Sequence, residues 1–104
     1  MSIAISVNNV PIRLTQERWH HISVGHPEMA NYYYELLAAI EKPQIVYRGE
    51  RAELLALSEQ QPDTSKHIVV VYRESPEAQD GFVITAFLSN KLNYLKKKEI
   101  VWKP

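Results

Sequence analysis

The sequence predicts an α+β fold in which two N-terminal helices precede a four-stranded antiparallel sheet. Three observations predict it. Apolar residues recur at helical spacing only between residues 16 and 41. After Pro43 the period shortens to that of strands. The segments joining those strands are too short for crossover helices, so neighbours pair antiparallel.

Taken in order, the chain begins with Ile3, Ile5 and Val7, then Asn8-Asn9, then Val10 and Ile12, the alternation of a short hairpin. Thr15 offers an N-cap hydroxyl, Glu17 sits in the first turn, and Gly25 supplies a stop, which gives a first helix over Gln16 to Val24. Pro27 suits a first helical position, so a second helix follows over Glu28 to Glu41. Its Met29, Tyr32, Tyr33, Leu36, Leu37 and Ile40 form the face that packs on the sheet.

Four strands come next: Ile45 to Tyr47, Glu53 to Leu57, His67 to Tyr72 and Phe82 to Phe87. Arg48 to Arg51 form a tight turn at Gly49, and Asp80-Gly81 mark another. Ile68 to Val71 leave no polar face, so that strand is central and covered on both sides. Asn90 to Lys98 form a short basic helix, and Ile100 to Trp102 a last extended piece. Trp19, Ile22, Leu36, Ile40, Val69, Val71, Ile84 and Phe87 are the expected core.

With 104 residues and 45% hydrophobic content, residues 1–104 make a single domain without a linker. Twelve basic and twelve acidic side chains balance, yet Lys91, Lys96, Lys97, Lys98 and Lys103 face only Glu99 near the C-terminus, a local positive field. The absence of cysteine excludes disulfides, a thiolate nucleophile and a zinc knuckle. No apolar run spans a membrane and no signal peptide is visible, so a cytoplasmic location is expected.

Four histidines raise the question of metal. His20 and His21 are adjacent and diverge by about 100° on a helix, without a second ligand at suitable spacing, so neither a metal nor any other cofactor is expected. Arg18 and His21, at i and i+3, share a polar face beside the buried stripe of Trp19 and Ile22. A cation beside an imidazole favours the neutral, proton-accepting form. His26 stands at the start of the second helix, where free N–H groups favour an anion. Alternation places Tyr72 with Ile68 and Val70, and Thr85 with Val83 and Phe87, each a hydroxyl tip on an apolar face.

The runs Ile12-Arg13-Leu14-Thr15, Arg18-Trp19-His20-His21-Ile22, Gly25-His26-Pro27-Glu28-Met29, Glu53-Leu54-Leu55-Ala56, Val69-Val70-Val71-Tyr72 and Asp80 through Phe87, with Gly49, cover nearly the whole chain. Together they resemble the phage and bacterial barnase, EndoU, colicin and RelE-like nucleases. The resemblance implies helices followed by a four-stranded antiparallel sheet, and RNA cleavage without metal by attack of the neighbouring 2′-hydroxyl. It makes His21 and His26 the candidate base and acid, in either order, and adds Tyr72 and Thr85 as catalytic contacts to phosphate or nucleotide. Arg18, Arg48, Lys66 and Lys91 become the substrate-binding cations, although Arg48 stands outside the shared motif. The implied partners are RNA, tRNA among the candidates, and a cognate antitoxin protein. The alternative is a non-catalytic RNA- or protein-binding module of the same fold.

Overall fold

The computed structural model describes all 104 residues, and its elements follow in this order. Strands β1 (Ser2–Ile5) and β2 (Pro11–Leu14) form a hairpin that precedes helix α1 (Gln16–Gly25). A 3₁₀ helix (Pro27–Asn31) leads to α2 (Tyr33–Glu41). Strands β3 (Ile45–Arg48), β4 (Leu54–Gln60), β5 (His67–Ser75) and β6 (Asp80–Ser89) follow, and a 3₁₀ helix (Asn93–Lys97) then precedes β7 (Glu99–Trp102). A single 3₁₀ turn (Pro76–Ala78) joins β5 to β6. No helix is long and apolar enough to cross a membrane.

The sheet corrects the expected architecture. It has seven strands in the order β1-β2-β6-β5-β4-β3-β7, and it is mixed, because β2 and β6 run parallel. A four-stranded antiparallel sheet behind two N-terminal helices is therefore not the fold. The expectation rested on loop lengths, which constrain only strands adjacent in sequence. β2 and β6 are separated by both helices and three strands, and such a gap leaves either direction open.

The second helix also differs. After Pro27 the chain tightens into the 3₁₀ helix, and the α-helix begins only at Tyr33. Met29 is fully buried there, and the Tyr32 hydroxyl donates to Asp63 at 2.8 Å, so two tertiary anchors hold the break open. At the β3–β4 turn the left-handed residue is Ala52, φ 64°, and Gly49 serves close approach instead: a Cβ there would overlap the Glu53 carboxylate.

Two apolar layers flank the sheet. On one face Ile12, Leu14, Leu54, Ala56, Ile68, Val70, Tyr72, Val83 and Ala86 pack under Ile22, Leu36, Ala39 and Ile40. On the other, Leu55, Leu57 and Val69 are closed over by Leu95 of the 3₁₀ helix Asn93–Lys97, the segment expected to be a longer basic helix. β5 is the middle of the seven strands. Of the expected core, Ile22, Leu36, Ile40 and Val69 are buried, whereas Trp19, Val71, Ile84 and Phe87 are half-buried.

The parallel joint is small. It consists of Ile12 against Gly81 and Arg13 against Phe82, reinforced by Arg13 Nε donating to Asp80 Oδ1 at 2.9 Å. A Cβ on Gly81 would lie 2.5 Å from Ile12 Cδ1 and closer still to the Arg73 carbonyl oxygen, so only glycine lets β2 dock. Gly81→Ala should therefore destabilise the chain by roughly 1–3 kcal/mol in denaturant unfolding. Amide exchange should rise first in β1 and β2. The Arg13 hydrogen bond, with its charge, holds the Asp80 carboxyl below the usual carboxylate range. The stability it contributes is present above about pH 3.9, the unfolded value, and is lost as pH falls through the lower folded value. Below about pH 4, exchange in β2 should therefore accelerate before exchange in β5.

Candidate functional site

Thr15 caps α1 by accepting the Arg18 N–H at 3.0 Å. The helix ends because His26 precedes Pro27, and a pre-proline residue is driven out of the helical region, here to φ −133° and ψ 77°. Gly25 adopts no left-handed conformation and is not the stop. That break turns the His26 ring onto the sheet, where its centroid lies 5.7 Å from that of Phe87 at 35°. His26 Nδ1 is 3.5 Å from a Glu28 carboxylate oxygen.

Helix phase orients the rest of α1. Trp19 meets Tyr33 edge-on at 5.0 Å, and the Tyr33 hydroxyl bonds the Ser2 hydroxyl, so the Trp19 flank faces α2. Ile22 points into the core. At about 100° per residue, Arg18 and His21 fall on the flank beyond Ile22 from Trp19. This is the flank turned away from α2. Both side chains are exposed, without an ion-pair partner.

A bulge in β6 sorts the strand residues. Val71 pairs with Thr85 but Tyr72 pairs with Val83, leaving Ile84 unmatched. Thr85 therefore shares a face with Phe87 and not with Val83, whereas alternation alone had put all three together. Along that face, away from α2, run Phe82, Thr85 and Phe87 on β6, with Arg73, Val71 and His67 on β5. Phe82 is 42% exposed. The Arg73 guanidinium donates from Nη1 to the Arg51 carbonyl at 2.9 Å and has no carboxylate within ion-pair distance.

The other expected residues lie elsewhere. Tyr72 is fully buried on the helix-covered face, its hydroxyl without a hydrogen-bond partner. Burial, aided by Glu74, drives its phenol well above the ordinary range, and no substrate reaches it. Arg48 lies three strands from β6, about 14 Å across the sheet, and is paired with Glu99 at 3.2 Å. Lys66 is exposed in the turn before β5, and Lys91 is exposed just past β6, its N–H donating to the Ser89 hydroxyl at 3.1 Å. The structure thus brings His26 and Thr85 to Phe87 on one face, leaves Arg18 and His21 exposed on α1, and separates Tyr72 and Arg48 from that face.

Arg73, Phe82 and His67 escaped the sequence reading. Period-two alternation outward from Val69 and Val71 places both Arg73 and His67 on the second face, a signal masked by the all-apolar run between them. His67 Nδ1 lies 2.9 Å from the Ser58 carbonyl oxygen. A carbonyl only accepts, so Nδ1 carries the proton and a neutral ring keeps its lone pair on Nε2.

Comparisons with protein families, with curated proteins and with solved structures find no match for this chain. No three metal-ligating side chains converge anywhere in the fold. What the face offers chemically is imidazole, hydroxyl and guanidinium groups beside two aromatic rings. Because the Tyr72 hydroxyl is buried and unpaired, Tyr72→Phe should leave thermal stability unchanged or raise it by up to ~1–2 kcal/mol. A loss of stability would show that the hydroxyl has a partner.

Proposed function

We propose that this chain is a metal-independent endoribonuclease whose RNA lies along the face carrying Phe82, Thr85 and Phe87. The observation that carries the reading is the His26 ring against Phe87, with Thr85 one pleat away. Arg18 and His21 are exposed on α1, the helix that ends at His26. Phe82 offers an exposed stacking surface for an unpaired base and Phe87 a half-buried one, and Arg73, held by the Arg51 carbonyl, offers a guanidinium without an ion-pair partner to phosphate.

Cleavage needs three things from such a face. A base takes the proton of the 2′-hydroxyl as its oxygen attacks the adjacent phosphorus. Positive charge from Arg18 or Arg73 stabilises the phosphorane, with the Thr85 hydroxyl as a further donor. An acid protonates the departing 5′-oxygen, leaving a 2′,3′-cyclic phosphate and a free 5′-hydroxyl. His21 and His26 are the imidazoles assigned here as base and acid, in either order. The substrate class is single-stranded RNA, exposed tRNA loops included, and an antitoxin protein would act by covering this face in the cytoplasm.

One observation favours the alternative, a non-catalytic RNA- or protein-binding module. None of the three surface cavities includes His21, His26 or Thr85, so no enclosed pocket surrounds the proposed chemistry. Purified protein should cleave single-stranded RNA in excess EDTA and leave cyclic phosphate ends. His26→Ala and His21→Ala should each lower the rate by roughly 10² to 10⁴ without unfolding. Tyr72→Phe should cleave at the parent rate. Cleavage that appears only with added divalent cation refutes the mechanism, and RNA binding without cleavage selects the module.

A further inference from the structure

At the far end of the sheet from His26, the β3–β4 turn and the 3₁₀ helix Asn93–Lys97 enclose a cleft of about 620 Å³. We propose that this cleft is a second RNA subsite, holding one unpaired nucleotide with its base on Tyr94 and its phosphate on Lys97 and Lys98. The proposal rests on the reading of the chain as an RNA-processing protein and extends it to residues that the cleavage chemistry does not use.

Four features carry it. The cleft has the size of a small-ligand site. Three cations, Arg48, Lys97 and Lys98, line it against Glu50 and Glu99, and Arg48 already neutralises Glu99 through the 3.2 Å ion pair. Neither lysine has a carboxylate within ion-pair distance, so their charge is available to an anion. Tyr94 borders the same space at 41% exposure, an aromatic surface beside unpaired cations. Stacking on such a ring requires a base released from pairing, which selects single strands over duplex.

The cleft and the proposed cleavage face share a neighbour, Glu53. Glu53 lies between them, its carboxylate accepting the Arg51 N–H at 2.9 Å. Backbone N–H groups chiefly hold it below the usual carboxylate range, and the charges of Arg73 and Lys98 add to the effect. Arg73 belongs to the β5–β6 face and Lys98 to the cleft, so both fields reach one side chain. Arg73 and Lys98 thus flank the anionic Glu53, and the cleft stands apart from the groups that would break the bond. Residues here therefore govern affinity for longer substrates, not the rate of the bond-breaking step.

The test uses the full chain and a single-stranded oligodeoxynucleotide, which lacks the 2′-hydroxyl and is not cleaved, with binding read by fluorescence anisotropy. Tyr94→Ala should weaken binding by roughly ten-fold, the scale of one lost base stack, and Lys97→Gln by roughly three-fold to ten-fold, the scale of one lost phosphate contact. Lys97→Gln should also lower the slope of log Kd against log salt by about 0.7. In cleavage of a long RNA, both variants should raise KM and leave kcat unchanged. Parental affinity, salt slope and KM in both variants would overturn the subsite even if RNA is cleaved. Failure of the parent chain to bind the oligonucleotide, with capture of an acidic protein instead, would overturn it too. If the variants lose binding while no RNA is cleaved by the parent, the subsite stands and the nuclease reading fails.

Discussion

The close approach of Ile12 to Gly81 is the constraint on which the remaining geometry depends. Two residue pairs and one ion pair attach the N-terminal hairpin to β6, a small contact for so large a consequence. By fixing where β2 ends, the contact fixes where Thr15 begins α1. The helix then runs alongside β6, and its C-terminal break delivers His26 to Phe87. A side chain at residue 81 would push β2 away and take the helix with it.

The sheet divides polar and apolar tasks between its faces. Beneath α1 and α2 the residues are mostly apolar and closely packed, and the Tyr72 hydroxyl among them has no exit to solvent. The other face is closed over Leu55, Leu57 and Val69 by Leu95, with Val71 and Phe87 packed at the margin of that cluster. Along β6 it stays open, because the Asn93–Lys97 helix crosses toward β3 and β7 and leaves Thr85, Phe87 and Phe82 partly exposed. Chemistry that needs contact with a long polymer belongs on such an open strip. It does not belong in the buried layer that holds the fold together.

Much of the candidate site was legible as residue types and little of it as geometry. Arg18, His21 and His26 were visible because helix phase and a pre-proline break are local properties. Thr85 was visible as a hydroxyl in an apolar strand, but its neighbours were misread, because one unmatched residue at Ile84 reverses the faces on either side of it. Arg48 and Tyr72 were both placed with the histidines by resemblance to a nuclease pattern. The structure puts one across the sheet and the other on its opposite face. Lys97 and Tyr94 carried no sequence signal beyond a basic run, since the cleft exists only where that run meets the β3–β4 turn.

By itself the sequence determined the periodicities: a helix after Thr15, another ending before Pro43, and apolar strands from Ile45 to Phe87, with β5 at the centre. These are set by side-chain spacing and by proline and capping chemistry, which act over a few residues. Tertiary structure decided the number of strands in the sheet, the parallel direction of β2 against β6, the bulge at Ile84 and the break between Pro27 and Tyr33. Each depends on contacts between residues far apart in the chain: Ile12 with Gly81, Val71 with Thr85, Tyr32 with Asp63. Local spacing holds no information about such partners, because whether a strand docks parallel or antiparallel is settled by the surface already waiting for it.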